Sequence, residues 1–236
     1  MNLQRERLKE NLNEVRKRVD RAARASGRTA EAVRLVAVTK QVDATIASDL
    51  VELGVSDFGE SRPQELWLKH ELVSGPVRWH LVGPLQKNKA RRTLPIVHLI
   101  HSVDSVPLLR RLDELAAELN VHPDVLLEVN VSGEATKHGF PPDELPAAVA
   151  GAADLARVRI RGLMTMAPFD DDAGGARPYF AALRALRDRL AAQAPPNCPL
   201  AELSMGMSGD FEAAIAEGAT IIRVGSVLFR GIKEPG

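Results

Sequence analysis

One pattern recurs along this chain and restricts its fold: a short apolar run, a polar turn, and then apolar residues at helical spacing. The apolar runs, which we interpret as strands, are 35–39, 56–59, 77–82, 98–103, 125–130, 158–165, 202–205 and 220–229. The helical patterns between them are 44–53, 63–72, 86–93, 106–119, 143–150, 176–191 and 209–217. Strands that alternate with helices pair in parallel, and about eight such units favour a closed barrel. We therefore predict an α/β fold, a TIM-type (β/α)8 barrel.

A separate helical pattern precedes the first strand. Leu8, Leu12, Val15, Val19 and Ala22 recur at spacings of four and three, with charged residues between them. About two heptads are too few to argue for a coiled coil, so packing against the barrel is the expected use. A length of 236 residues suits one barrel, and no break in composition marks a linker. We predict one domain, residues 1–236, with an additional N-terminal helix.

The charge balance and the apolar content argue against several classes of partner. The chain has 31 basic and 31 acidic residues, so nothing electrostatic favours nucleic acid or an anionic membrane surface. No apolar run approaches the roughly 20 residues that span a bilayer, and the charged start lacks the apolar core of a signal peptide. The one cysteine cannot form an intrachain disulfide. We expect a soluble, cytoplasmic monomer.

Two groups of residues resemble metal ligands at first sight. The carboxylates within 169–175 lack the spacing and the closing glutamate of a calcium loop, which indicates a solvated surface loop. His98 and His101 are three apart in a predicted strand, so we expect them on opposite faces and a poor metal pair. We predict no metal site.

The ends of the last two predicted strands carry a pattern suited to an anion. In this architecture phosphate is often bound after the seventh and eighth strands. The seventh strand ends in Ser-Met-Gly-Met-Ser-Gly-Asp (204–210), and the eighth carries Gly225 and Ser226. Glycines and small hydroxyl residues let backbone N–H groups approach an anion. We call segments 204–210 and 222–226 the phosphate cup; alone, the first is equally consistent with a serine-capped tight turn.

The first predicted strand closes with Lys40. At a barrel mouth, removal from water favours the neutral amine that Schiff-base chemistry requires. The alternative is a solvated lysine that only ends a strand. Arg223 on the eighth strand neighbours the first strand once the barrel closes. It could face the ring nitrogen of a cofactor or pair with a buried acid.

Short motifs in order along nearly the whole chain carry a family resemblance. They are V-A-V-T-K (36–40), F-G-E (58–60), W-H-L-V-G (79–83), L-Q-K-N-K (85–89), V-N-V-S-G-E (129–134), K-H-G (137–139), R-G-L-M-T-M (161–166), L-S-M-G-M-S (203–208) and R-V-G (223–225). Through them the sequence resembles the pyridoxal phosphate homeostasis protein family, whose barrel is similar to the N-terminal domain of alanine racemase.

The resemblance implies a site for pyridoxal 5′-phosphate (PLP, a form of vitamin B6). Lys40 would hold PLP as a Schiff base, while Ser208, Gly225 and Ser226 hold its phosphate. Arg223 would face the pyridine nitrogen and keep it unprotonated, which weakens the electron sink that PLP enzymes use. One departure stands out: this chain has Ser-Arg at 61–62 where the family usually has asparagine and tyrosine. We therefore assign no role to Ser61.

Other candidate residues have structural alternatives. His80 either lines the cofactor pocket or is a satisfied core histidine. Met164, Met205 and Gly206 either contact the ring and the phosphate or fill the core and a turn. The resemblance makes Lys137 a candidate secondary lysine for cofactor transfer, although a surface lysine is the ordinary interpretation.

We predict a carrier or regulator in intracellular PLP homeostasis that passes the cofactor to PLP-dependent apoenzymes without turnover. The sequence closes at Gly236 just past the eighth strand, and its one tyrosine, Tyr179, is in a helical pattern. A second acid or base opposite Lys40 is therefore missing. The alternatives are a PLP-dependent amino-acid racemase or decarboxylase, a Schiff-base aldolase acting on a sugar phosphate, and an adaptor that uses its N-terminal helix.

Overall fold

Eight parallel strands close into a barrel in sequence order, and the eighth pairs back with the first. The structure is a computed structural model that describes residues 3–134, 136–168 and 175–232. The strands are β1 (Arg34–Val38), β2 (Asp57–Glu60), β3 (Arg78–Leu81), β4 (Val97–Val103), β5 (Asp124–Glu128), β6 (Arg159–Met164), β7 (Glu202–Ser204) and β8 (Ile221–Val224). The predicted (β/α)8 barrel is confirmed. The carboxylates at 170–172, which we predict to form a solvated loop, lie outside the described residues.

Helices surround the barrel, and one more precedes it. They are α1 (Leu3–Ala25), α2 (Ala44–Glu52), α3 (Pro63–Leu72), α4 (Lys87–Thr93), α5 (Val106–Leu119), α6 (Leu145–Ala150), α7 (Arg177–Ala191) and α8 (Phe211–Ala216), with 3-10 turns at Ala30–Ala32 and Gly151–Asp154. The additional helix α1 buries Leu8, Leu12 and Val15 against the domain. Asn11 Nδ2 donates to the Leu228 carbonyl at 2.9 Å, which joins α1 to the segment after β8.

The core has two layers because successive strand side chains point to opposite faces of the sheet. The inner layer comes from five strands and consists of Val36, Leu99, Leu126, Met164 and Ile221. Residues of the opposite parity pack outward under the helices. Since all eight strands are parallel, their C-terminal ends meet at one mouth, where the connecting loops can build a site.

The eighth strand is shorter than the predicted 220–229. It ends at Val224 because the backbone turns: the N–H groups of Leu228 and Phe229 both donate to the Gly225 carbonyl, at 2.9 and 3.2 Å. Leu228 and Phe229 are buried, so their apolar character reflects the core rather than a strand. Among the described residues, no helix is long and apolar enough to cross a bilayer.

Cys198 lies in the outer core after α7 and is fully buried. Burial raises the pKa of its thiol to about 12. A thiol that stays protonated at neutral pH is a poor nucleophile. The structure therefore gives Cys198 a packing role.

Candidate functional site

The two segments of the phosphate cup are joined through Ser208. Its Oγ accepts hydrogen bonds from the backbone N–H groups of Gly225 at 3.2 Å and Val227 at 3.4 Å. Within the described chain, the N–H groups of Ser208, Gly209 and Ser226 have no hydrogen-bond partner. Unpartnered backbone donors from two linked loops at a strand-end mouth fit a phosphate group.

Glycine holds the cup close to its neighbours. Gly206 has φ +92°, and a Cβ there would lie 2.9 Å from the Cα atom of Phe211. A Cβ on Gly225 would lie 3.1 Å from the Val38 carbonyl oxygen, so the cup packs directly against the end of β1. The structure thus brings the predicted phosphate residues within reach of the segment that carries Lys40.

Lys40 is exposed in the turn after β1. Pairing with β2 continues to Thr39, whose N–H donates to the Gly59 carbonyl at 2.9 Å. A Cβ on Gly59 would contact both Val36 and Val38, so these two share the inner face, and Lys40 follows two residues after Val38 in the turn. No residue in the described ranges forms a hydrogen bond or an ion pair with the Lys40 amine. The rim therefore presents an available amine.

A buried ion pair supports the backbone just before Lys40. Lys69 Nζ lies 2.6 Å from Glu60 Oε1 and donates to the Thr39 carbonyl at 2.6 Å. Thr39 Oγ1 also donates to Glu60 Oε1 at 2.6 Å. The Lys69 and Glu60 side chains are 5% and 0% exposed, so water does not screen the pair.

The sequence reasoning missed Lys69. It lies on α3 three residues after the buried Leu66 and six after the buried Pro63, so a lysine on the apolar face of a helix was the available signal. Lys69 and Lys40 also border one groove of about 520 Å³ between the start of α2 and α3. A second lysine thus adjoins the candidate PLP lysine from outside the barrel wall.

Arg223 is buried on the inner face of β8, two residues after Ile221. Its Nη1 donates to Ser204 Oγ at 2.6 Å and its Nη2 to the Thr165 carbonyl at 2.9 Å. Burial lowers the pKa of the guanidinium to about 10, so it stays charged at neutral pH. The sequence left open that Arg223 pairs with a buried acid. Among the described residues, no carboxylate forms an ion pair with Arg223, which does not favour that alternative.

Glu128 is a second charged candidate that the sequence reasoning did not select. It lies at the end of β5 and is 5% exposed, two residues after the inner-layer Leu126. Burial raises the pKa of its carboxyl to about 7, while the charge of Arg223 lowers it in part. Glu128 therefore changes charge near neutral pH, and the charge of Arg223 acts on it.

Replacing Glu128 with glutamine should remove a pH dependence of stability. The folded-state pKa of about 7 lies above the ordinary 4.5, so protonated Glu128 stabilises the fold at low pH and this contribution is lost as pH rises through 7. We expect wild type to lose about 2 kcal/mol relative to Glu128→Gln between about pH 5 and about pH 8. Urea unfolding at both pH values measures this, with Glu14→Gln, an exposed site on α1, as control. Parallel pH curves for wild type and Glu128→Gln would contradict it.

His80 is fully buried and both ring nitrogens have partners. Nε2 lies 3.0 Å from Asp57 Oδ1, and Nδ1 lies 2.9 Å from His101 Nε2. Burial lowers the pKa of both histidines, which favours neutral rings. His80 thus has the contacts of a satisfied interior histidine.

The expectation that His98 and His101 lie on opposite faces is wrong. Both rings contact the His80 ring, with centroids 5.5 and 5.2 Å away. The register of β3 against β4 shifts between Trp79 and His80. Trp79 pairs with Val97 and His80 pairs with Leu99, so the register passes over His98, and side chains do not alternate between the two faces at this point of β4.

The remaining predicted residues separate into different layers. Met164 belongs to the inner layer, whereas Met205 is buried in the outer core under the helices. Lys137 follows β5, and its Nζ lies 3.0 Å from Glu134 Oε1 without hydrogen-bond geometry. The structure therefore groups Ser208, Gly225 and Ser226 in the cup and places Met205 behind it.

Comparison with known proteins agrees with the motifs. The family described as alanine racemase, N-terminal domain, matches residues 4–232. A pyridoxal phosphate homeostasis protein of Aquifex aeolicus is 40% identical over 221 residues, covering 93% of this chain and 96% of the relative. The chain belongs to the pyridoxal phosphate homeostasis protein family. An Escherichia coli K12 member is 36% identical over 228 residues, covering 93% of this chain and 94% of that member.

Solved structures of similar fold include a member that is also similar in sequence and one that is similar in fold alone. PipY of Synechococcus elongatus PCC7942, solved with PLP bound, matches with a TM-score of 0.82 and 37% identity over 94% of this chain and 99% of PipY. An alanine racemase from Clostridium difficile 630 matches with a TM-score of 0.73 and 16% identity, covering 95% of this chain and 56% of the racemase. That second likeness concerns the fold alone.

Proposed function

We propose that this chain is a cytoplasmic PLP carrier or regulator that holds PLP as a Schiff base on Lys40 without turnover. The observation that carries the proposal is the available Lys40 amine at the end of β1, next to a phosphate cup that packs against the same strand. The PLP-bound PipY structure and the names of the relatives support PLP as the ligand.

The described contacts suggest a role for each residue. Lys40 supplies the amine, and the linked loops supply Ser208, Gly225 and Ser226 for the phosphate. Arg223 is held by Ser204 and by the Thr165 carbonyl, so that its charge is fixed on the inner side of the mouth. When bound, PLP supplies an aldehyde for the amine and a ring whose nitrogen a guanidinium leaves unprotonated. Met164 belongs to the inner core layer below the mouth.

The position of Tyr179 supports a carrier rather than a racemase or decarboxylase. It is the one tyrosine of the sequence and lies on α7, packed against the outer core. Two-sided proton transfer needs a second acid or base opposite the lysine, and Tyr179 in the outer layer does not supply it. We propose apoenzymes that need PLP as recipients, and Lys137 after β5 as a secondary lysine for transfer.

Borohydride reduction followed by peptide mass spectrometry tests the site. Reduction converts the carbon–nitrogen double bond into a stable amine, so the adduct marks the lysine that held the cofactor. We expect one pyridoxyl adduct, on the peptide that contains Lys40. Lys40, Lys69 and Lys137 lie in different parts of the chain, which makes the assignment unambiguous.

Two results would contradict the proposal. An adduct only on Lys69 or Lys137, or none after loading with PLP, would overturn the site. Steady conversion of members of an amino-acid library by the loaded protein would favour the racemase or decarboxylase over the carrier.

A further inference from the structure

A line of hydrogen bonds, buried from Asp57 to Arg223, crosses the barrel interior. It begins at the N-terminal rim, where Arg78 Nη2 donates to Asp57 Oδ2 at 2.6 Å; these are the first residues of β3 and β2. Asp57 Oδ1 contacts His80 Nε2 at 3.0 Å, and His80 Nδ1 contacts His101 Nε2 at 2.9 Å. The line continues on the far side of the barrel.

At the mouth, the line ends on the arginine of the cup. His101 Nδ1 lies 2.8 Å from Ser204 Oγ, which accepts from Arg223 Nη1 at 2.6 Å. His80, His101 and Ser204 are fully buried. Five strands thus contribute one continuous line of side chains from rim to mouth: β2, β3, β4, β7 and β8.

The chemistry of the two ends sets the direction of every hydrogen bond between them. A guanidinium only donates, so Ser204 Oγ accepts from Arg223 and its own hydrogen is available for His101 Nδ1. His101 must then donate from Nε2 to His80 Nδ1, and His80 from Nε2 to the Asp57 carboxylate.

The charge state of Asp57 fits this direction. Burial raises the pKa of its carboxyl, but hydrogen bonds from His80 and Arg78 outweigh that effect, so the pKa lies below its ordinary value. One end of the line is a carboxylate, which only accepts, and the other is a guanidinium, which only donates. Every group between them is satisfied when both histidines are neutral and each carries its hydrogen on Nε2.

We propose that Asp57, His80, His101 and Ser204 form a directed hydrogen-bond line that positions the Arg223 guanidinium from the opposite end of the barrel. The effect on bound PLP rests on the proposed function, whereas the direction of the line does not. These are positioning residues, because they act on the cofactor through Arg223. Without the line, Ser204 is free to rotate and Arg223 loses a fixed acceptor.

Nitrogen NMR of the cofactor-free protein tests the direction of the line. Two-bond proton–nitrogen spectra distinguish the two neutral tautomers of each histidine. We expect the hydrogen on Nε2 in both His80 and His101. A hydrogen on Nδ1 of either ring, or a doubly protonated ring at neutral pH, would overturn the proposed direction. This result is independent of PLP binding.

Substitution of His101 tests the positioning. His101→Leu removes both bonds, while His101→Gln keeps an acceptor and a donor. With PLP labelled at the pyridine nitrogen, we expect His101→Leu to move the nitrogen signal and to speed PLP loss about tenfold. His101→Gln and Ile100→Val, on the outer face of the same strand, should stay within about twofold of wild type.

Ser204→Ala is a smaller change that cuts the same line, and it replaces His101→Leu if that variant does not fold. If the folded variant, His101→Leu or Ser204→Ala, shows the same nitrogen signal and the same rate of PLP loss as wild type, the positioning role is overturned. If wild type itself gives no PLP signal, the proposed function fails while the tautomer test still decides the direction of the line.

Discussion

Lys40→Ala should lose the visible absorption band of the PLP-loaded protein and remain folded. The band requires conjugation between the cofactor and the lysine nitrogen, which alanine cannot supply. Because Lys40 is exposed in a turn, and no hydrogen bond or ion pair of its amine occurs among the described residues, we expect its removal to cost little stability. Absorption spectra after loading and thermal unfolding by circular dichroism measure the two parts.

Lys137→Ala is the matched control, since it removes a lysine after β5 whose ion pair in the described part of the chain is the local one with Glu134. It should keep the band, although it could slow transfer. A band that persists in Lys40→Ala, or that disappears in Lys137→Ala, would contradict the assignment. Loss of folded structure in Lys40→Ala would instead make Lys40 a structural residue.

Lys69→Met should give the largest loss of stability among the substitutions considered. It leaves the Glu60 carboxylate fully buried without its positive partner. Breaking a buried ion pair on one side costs about 3–5 kcal/mol, since the remaining charge stays without compensation. It also removes the donor to the Thr39 carbonyl, directly before Lys40. Urea unfolding measures the loss.

The double variant Glu60→Gln/Lys69→Met distinguishes the pair from simple packing. With both charges removed, the introduced glutamine amide can still accept the hydrogen bond of Thr39, and methionine fills the space of the lysine stem. We expect most of the lost stability to return. Additive losses from the two substitutions would show that the charges do not interact.

The barrel was predictable because strand and helix periods differ and because polar turns separate the apolar runs from the helical patterns. Lys40, Ser208 and Gly225 could be placed at the mouth from their positions at strand ends. The chain also belongs to the family that the motifs indicated. These inferences depend on local patterns, which sequence carries directly.

The polar interior was not predictable. His80 meets His101 only because the register shifts between Trp79 and His80, and single-strand alternation has no information about such shifts. The apolar residues Leu228 and Phe229 extended the predicted eighth strand, although they fill the core from a turn. Which side chains meet across different strands depends on how the barrel closes. A short window of sequence carries no information about that closure.

The inert Cys198 thiol makes the protein convenient for site-directed labelling. It is the sole cysteine, it is fully buried, and its pKa of about 12 keeps it unreactive at neutral pH. A cysteine introduced at an exposed position would then be the one accessible attachment point for a fluorophore. Cofactor delivery to an acceptor could be followed in real time without first removing a native thiol.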